Sequence, residues 1–147
     1  PIVGCSSEGR KDSVDNVEAT GEFVCNLVTM DLAEAMNATS AGVAHGVDEM
    51  HLAGLAAAPS TVVRPPRVAA AAAALECRLV RVIRLAGADG VALDNWLVLG
   101  EVVGVHINDR FLVDGRFDTA AARPVARCGY RGDYAVVTQL FEMLRPG

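Results

Sequence analysis

"LECRLVRVIRLAGADGVALDNWLVLGEVVGVHI", Leu75 to Ile107, holds two apolar-rich runs on either side of one turn. From Leu75 to Leu85 the side chains alternate: Leu75, Cys77, Leu79, Ile83 and Leu85 share one side, and Glu76, Arg78 and Arg84 share the other with Val80 and Val82. A period of two marks a half-buried strand. Ala86 to Gly90 offers a turn and Asn95 to Ile107 a second long strand, so the pair is expected to form an antiparallel hairpin. One face of the second strand carries Trp96, Val98, Gly100, Val102, Gly104 and His106. Side chains are missing there at two alternate positions, where another group can approach the backbone.

Upstream, residues 2–6 read as a buried strand ending in a Ser-rich turn, and Asp12 or Ser13 can cap a helix running to about Thr20, stopped by Gly21. Residues 22–28 alternate again, with Phe23, Cys25 and Leu27 on one face. Asp31 with Glu34 gives a capping-box start to a helix whose apolar face is Leu32, Ala35, Met36 and Thr39. Residues 40–74 are broken by Gly42, Gly46, Gly54, Pro59, Pro65 and Pro66 and read as a long excursion; the two adjacent prolines confine any strand in it to an edge. Ala69 to Ala74 is the approach to the next strand. The stretch "RPVARCGYRGDYAVV", 123–137, is expected to include another strand, and no internal repeat or low-complexity linker is present. Long antiparallel strands with two short helices predict a mainly β architecture, a barrel or sandwich, rather than a doubly wound sheet.

A chain of 147 residues, 52% hydrophobic and 21% charged, can build one packed core. The mean hydropathy of +0.30 comes from dispersed Ala and Val, with no run of about 18 uncharged apolar residues to span a bilayer. A net charge of −5 without an extended basic stripe argues against nucleic-acid or membrane-surface partners, while leaving room for local cationic pockets. Cys5, Cys25, Cys77 and Cys128 are far apart with no CxxC spacing, so free thiols in a reducing cytoplasm are expected rather than a zinc site or a redox dithiol. His45, His51 and His106, even with "VDEMH", lack a metal-ligand spacing, and no metal is expected.

No GxGxxG, GxxxxGK[ST], GxSxG or HExxH fingerprint occurs. "CSSEGRKDSVDN", Cys5 to Asn16, places Ser, Gly, Arg and Lys directly before a helix start, where unpaired N–H groups and the helix dipole favour an anion. It is either a phosphate cradle or an ordinary capped surface helix. His106, on the Gly-gapped face, either meets a ligand or is a satisfied histidine at the sheet rim. "MNATSAG", Met36 to Gly42, either presents Asn37, Thr39 and Ser40 to a ligand or closes a helix. Trp96 and Phe23 are expected in the core.

Together, "GCSSEGRKDSVDNVEATGEFVCNLVTMDLAEAMNATSAG", "VDEMHLAGLAAAPSTVVRPPRV", "ALECRL", "LVLGEVVGVHINDRFLVDGRFD" and "RPVARCGYRGDYA" resemble the flavin reductase-like proteins of the FMN-binding split-barrel superfamily. The resemblance implies an antiparallel split β-barrel of Greek-key type with short peripheral helices, a homodimer, and noncovalent FMN reduced by NAD(P)H. It implies that Ser6, Ser7, Arg10, Lys11, Asp12 and Ser13 surround the flavin and its phosphate, that Asn37, Thr39 and Ser40 form a second polar turn, and that His106 looks towards the flavin or nicotinamide. Members carry further strands and an "NLAPFSFF"-like segment before the matching part. Residues 1–147 are therefore expected to be one domain incomplete at its N-terminus, with the edge of the Ile2–Ser6 strand covered by a partner chain. The expected activity is an FMN-dependent NAD(P)H:flavin or acceptor oxidoreductase; an electron-carrying flavin module and a flavin-free structural dimer are the alternatives.

Overall fold

A computed structural model describes all residues, 1–147. In chain order the elements are β1 (Ile2–Glu8), α1 (Asp12–Thr20), β2 (Glu22–Asn26), α2 (Ala33–Ala38), α3 (Glu49–Leu52), β3 (Ala57–Ala58), β4 (Arg67–Val68), β5 (Ala73–Ala86), β6 (Ala92–Ile107), β7 (Leu112–Val113), β8 (Arg116–Phe117), α4 (Thr119–Ala122), β9 (Val125–Arg127) and β10 (Tyr134–Val136). Single 3-10 turns occupy Met30–Leu32 and Asp109–Phe111. The expected hairpin is β5–β6, longer at both strands than the alternation indicated. It forms the centre of an antiparallel sheet of order β1-β6-β5-β2, so β1 and β2, neighbours in sequence, lie at opposite edges.

Two local expectations are corrected. Ser6 and Ser7 are strand residues, because β1 runs along β6, which supplies Leu97, Trp96 and Asn95 opposite Ser6, Ser7 and Glu8. The turn is instead Gly9 to Lys11, with Gly9 at φ +79° and its N–H on Asp94 O at 2.7 Å. Asp31 and Glu34 form no capping box: the chain enters as a 3-10 turn from Met30, which puts Asp31 inside the turn, and the α2 N-cap is Leu32, which makes no side-chain cap.

The register of β5 on β6 shifts between Glu76 and Cys77, Leu79 and Arg81, and Arg84 and Ala86. The extra residue at the first shift is Val103 of β6, so Gly104 shares the Glu76 side of the sheet and Gly100 the opposite side; at the second it is Val80 of β5. Glu76 and Cys77 face opposite sides and are both buried, and Leu79 and Val82, assigned to opposite faces by strict alternation, pack together against α1. Val14 and Val17 of α1 meet Val98 of β6 there, with Phe23 and Trp96 around them. A second cluster joins Ala72, Phe111 and Ala122 with Leu27 and Phe117.

The two glycine gaps of β6 are filled by protein side chains. A Cβ on Gly100 would run into the Phe23 ring, and one on Gly104 would lie 3.2 Å from Glu76 Cδ and 3.3 Å from Val62 Cγ2. Glu76 has no exposed surface. Its Oε1 accepts from Thr61 N at 2.7 Å and Thr61 Oγ1 at 3.0 Å, its Oε2 from Val62 N at 2.6 Å and Val63 N at 2.8 Å. His106 Nε2 completes the set on Oε1. Burial works to raise the Glu76 pKa, but the donors from Thr61, His106, Val63 and Val62 outweigh it and hold the carboxyl well below its usual value of 4.5. The same excursion is tied to β2 by Val68 N on Asn26 Oδ1 at 2.9 Å and Arg64 N on Glu22 Oε2 at 3.1 Å. As the prolines required, β4 pairs only with β3, outside the main sheet.

Only 15 of the 147 residues are buried, and the accessible surface is 10124 Å². A compact monomer of this mass exposes about 7,200 Å². Ile2, Val80 and Val105 lie more than half exposed on the sheet, and β1 has no neighbour on its outer edge.

Replacing Glu76 with Gln removes the charge that these donors share and points an NH₂ at N–H groups, which lowers stability by about 2–4 kcal/mol in a denaturant titration. Because Glu76 titrates lower folded than unfolded, its contribution is complete above about pH 4.5 and drains away as pH falls below that value; in Glu76→Gln this part of the acid sensitivity is lost. Gly100→Ala costs about 1–3 kcal/mol through displacement of Phe23, and adding Phe23→Leu recovers part of the loss.

Candidate functional site

A cleft of about 730 Å³ lies between the start of α1, β2, α2 with its C-terminal turn, and the α3 and β4 region. Its polar end is Lys11, Asp12, Ser13 and Asn16 of α1 with Thr39 and Ser40; Val24, Met36, Met50 and Val68 are among its apolar walls. The local sequence explains the polar end. Gly9 turns the chain off β1, and Lys11 becomes the N-cap residue of α1 with extended backbone and no side-chain cap, its carbonyl accepting from Val14 N at 2.9 Å and Asp15 N at 3.2 Å. The N–H group of Ser13 has no acceptor in the protein, that of Asp12 turns to its own carboxylate, and the Lys11 ammonium has no ion-pair partner. Unsatisfied donors at the positive end of a helix dipole beside a free cation suit an anion.

Asp12 would oppose that anion were it not engaged. Its Oδ1 lies 2.9 Å from His45 Nδ1, and its Oδ2 accepts from Gly46 N at 3.3 Å. The hydrogen bond to Asp12 raises the His45 pKa above 6.5, and the His45 contact, against some desolvation, lowers that of Asp12 below 3.8. The clasp holds the loop whose earlier residues Ala41, Gly42 and Val43 form the cleft wall. Thr39 Oγ1 donates to Met36 O at 2.7 Å and Ser40 Oγ to Asn37 O at 2.6 Å, closing α2. Their hydrogens are used, so towards the cleft both hydroxyls act as acceptors.

Five predicted site residues lie away from the cleft. Ser6 is exposed on β1, and Ser7 Oγ donates to Gly9 O at 2.8 Å. Asn37 is exposed on α2. Arg10 turns back along α1, its Nε 2.6 Å from Asp15 Oδ1 and a second nitrogen on Glu18, with its guanidinium 4.9 Å from the Trp96 ring centre. Arg84 lies 5.7 Å from the same ring. His106 is spent on Glu76, on the sheet side of the excursion. The bulge at Val103 splits the glycine positions between the two faces: Gly104 and His106 lie with the Glu76 carboxyl, and Gly100 lies with Phe23 on the other side.

The apolar walls and the Asp12–His45 clasp escaped sequence inspection, since each joins segments about thirty or more residues apart.

This fold and cleft define an antiparallel split-barrel protein with a mixed polar and apolar site. Residues 1–120 match the flavin reductase like domain family, and the chain belongs to that family. An uncharacterized protein of Deinococcus radiodurans is 37% identical over 153 residues, which take in 99% of this chain and 64% of that protein. An uncharacterized protein of Halalkalibacterium halodurans is 34% identical over 152 residues, 99% of this chain and 71% of that protein. The chain thus spans about two thirds of the length of the curated relatives it matches. Among solved structures, component B of nitrilotriacetate monooxygenase from Bacillus cereus superposes with a TM-score of 0.88 at 29% identity, covering 97% of this chain and 72% of that one. An FMN-binding domain of a flavin reductases-like enzyme from Shewanella baltica has the same fold, with a TM-score of 0.74 at 17% identity, 97% of this chain and 73% of that one covered.

The Asp12–His45 clasp predicts that His45 titrates above pH 6.5 in an NMR experiment and that Asp12→Asn returns it towards that value. Between the two pKa values the clasp is charged on both sides; it weakens as pH rises through that of His45, and again as pH falls through that of Asp12.

Proposed function

We propose that this protein is an FMN-dependent oxidoreductase that takes electrons from NAD(P)H and passes them to a flavin or another diffusible acceptor. The observation that carries the proposal is the conjunction of the unpaired Lys11 with the unsatisfied Ser13 amide at the start of α1, at the polar end of the cleft. The cleft is of ordinary size for a cofactor site, and its donor set fits a phosphate. Lys11, the Ser13 hydroxyl and the α1 amides hold the phosphate; Thr39 and Ser40 accept from hydroxyls of the sugar-alcohol chain; the apolar walls cover part of the ring system.

FMN, when bound, supplies the hydride-accepting and electron-releasing chemistry. No side chain has to act as acid or nucleophile in such a transfer, which agrees with the missing catalytic fingerprints. Arg10 serves by fastening α1 to Trp96 and so fixing the direction of the phosphate-binding amides. His106 serves as a positioning residue: through Glu76 it secures the excursion that carries Val68 into the cleft wall. Ser6, Ser7 and Asn37 make no direct contact in this account. A second copy of the chain covering the open sheet and the edge of β1 would account for the excess surface, in keeping with a homodimer.

Flavin fluorescence quenching tests the binding and absorbance bleaching tests the reduction. Lys11→Ala weakens FMN binding by about tenfold, equivalent to about 1.4 kcal/mol, whereas Arg10→Ala weakens it less and lowers thermal stability more. Bound FMN that NAD(P)H fails to bleach selects the electron-carrier alternative. Absence of FMN binding by the intact protein removes both flavin readings.

A further inference from the structure

Asp12 stands at the polar end of the cleft, between Lys11 and the free amide of Ser13. A carboxylate in that place works against a phosphate, whose charge it repels. The loop that follows α2 answers it: His45 Nδ1 lies 2.9 Å from Asp12 Oδ1, and Gly46 N donates to Oδ2 at 3.3 Å. Gly46 is at φ +84°, a backbone conformation open to glycine, so two successive residues present a ring nitrogen and an amide to one carboxylate.

The other charged groups around the pair are committed elsewhere or constant. Asp15, which adds to the field on His45, is held by Arg10 Nε at 2.6 Å, and the same guanidinium engages Glu18. Asp48 caps α3, accepting from Met50 N at 2.9 Å and His51 N at 3.2 Å. Lys11 and Glu49 line the cleft without ion-pair partners, and His45 is the one ion-pair partner of Asp12. Histidine is the side chain whose charge changes near neutral pH, and neither His51 nor His106 belongs to the cleft. The Asp12 carboxylate holds the proton on His45 to higher pH than usual.

We propose that the Asp12–His45 pair sets the preference of the cleft for a phosphorylated over an unphosphorylated flavin, and that this preference fades as His45 loses its proton. The inference rests on the proposed function. With His45 protonated the pair is neutral overall, the Asp12 carboxylate is turned to the loop, and Lys11 and the Ser13 amide are left to the phosphate. With His45 neutral, Asp12 keeps an uncompensated charge that repels the phosphate and competes for its neighbour Lys11. Riboflavin, which has no phosphate, is indifferent to the change. His45 acts through Asp12 and is a positioning residue.

The experiment measures Kd for FMN and for riboflavin by fluorescence quenching, on the full chain, between about pH 6 and about pH 9. It compares the wild type with His45→Gln and Asp12→Asn. The two side chains are 73% and 39% exposed, and so exposed a pair contributes little to stability, which circular dichroism of both variants checks. The quantity read is the riboflavin Kd divided by the FMN Kd; comparing proteins at one pH cancels the second ionisation of the FMN phosphate, near about pH 6. At the acid end the wild-type ratio exceeds that of His45→Gln by about three- to tenfold and equals that of Asp12→Asn. At the alkaline end it falls to that of His45→Gln, and Asp12→Asn exceeds both by a similar factor. Breaking the pair from its two ends therefore has opposite effects, whereas a clasp that only held the loop would give the same effect from either end. Equal ratios in the two variants overturn the proposal, as does a wild-type advantage over His45→Gln that does not change with pH. In both cases FMN still binds and the proposed function stands. Binding of neither flavin overturns both.

Discussion

Glu76 is a carboxylate with no exposed surface in the middle of the central hairpin, and a charge so placed must find donors. Gly104 opposite it on β6 gives the room, His106 two residues further on gives one partner, and the N–H groups of three successive residues, Thr61 to Val63, give the others. A long excursion that on composition alone has little reason to adopt one course is thereby held against the sheet. Asn26 and Glu22 on β2 extend the attachment, and Val68 at its end reaches the cleft beside α1. The interior acid thus does for the 60–68 segment what an apolar core does for α1.

The cleft separates two cations that are adjacent in sequence. Arg10 is turned outward by Asp15, Glu18 and the Trp96 ring, which orients the first turn of α1; Lys11 stays unpaired beside the open amides. Asp12, the acid nearest to those amides, is held by His45 and Gly46. Helix direction, a free cation and an acid engaged by its own partners therefore converge at one point. The chain belongs to the flavin reductase like domain family; in the proposed function a flavin occupies this site, and the chemistry is then the flavin's more than any side chain's.

What the residues disclosed on their own was local. The β5–β6 hairpin was legible because two runs of alternation faced one turn, and the start of α1 because the Gly9–Ser13 chemistry is contained within one turn of helix. Lys11, Asp12 and Ser13, with Thr39 and Ser40, were named from such signals and meet in one cleft. Bulges were not legible, since register depends on the partner strand; this is why Leu79 and Val82 share a face. Ser6 and Ser7 passed for a turn because serine is a turn former, and their pairing with Leu97 and Trp96 is a long-range contact that local pattern does not reveal. The glycine gaps at 100 and 104 did signal a close approach, but the groups that approach are Phe23 and Glu76, whose positions follow from tertiary packing. His106, singled out by strict alternation with both glycines, shares a face with Gly104 alone and is satisfied by the buried acid.

The most direct test of the flavin cleft is an amide-resolved NMR titration of the chain with FMN. The account predicts that the amides of Lys11, Asp12 and Ser13, together with those of Thr39 and Ser40, shift first and most, while those of Ile2 to Ser6 on the far edge of the sheet stay nearly still. Saturable FMN binding that leaves residues 11–13 unmoved would contradict it.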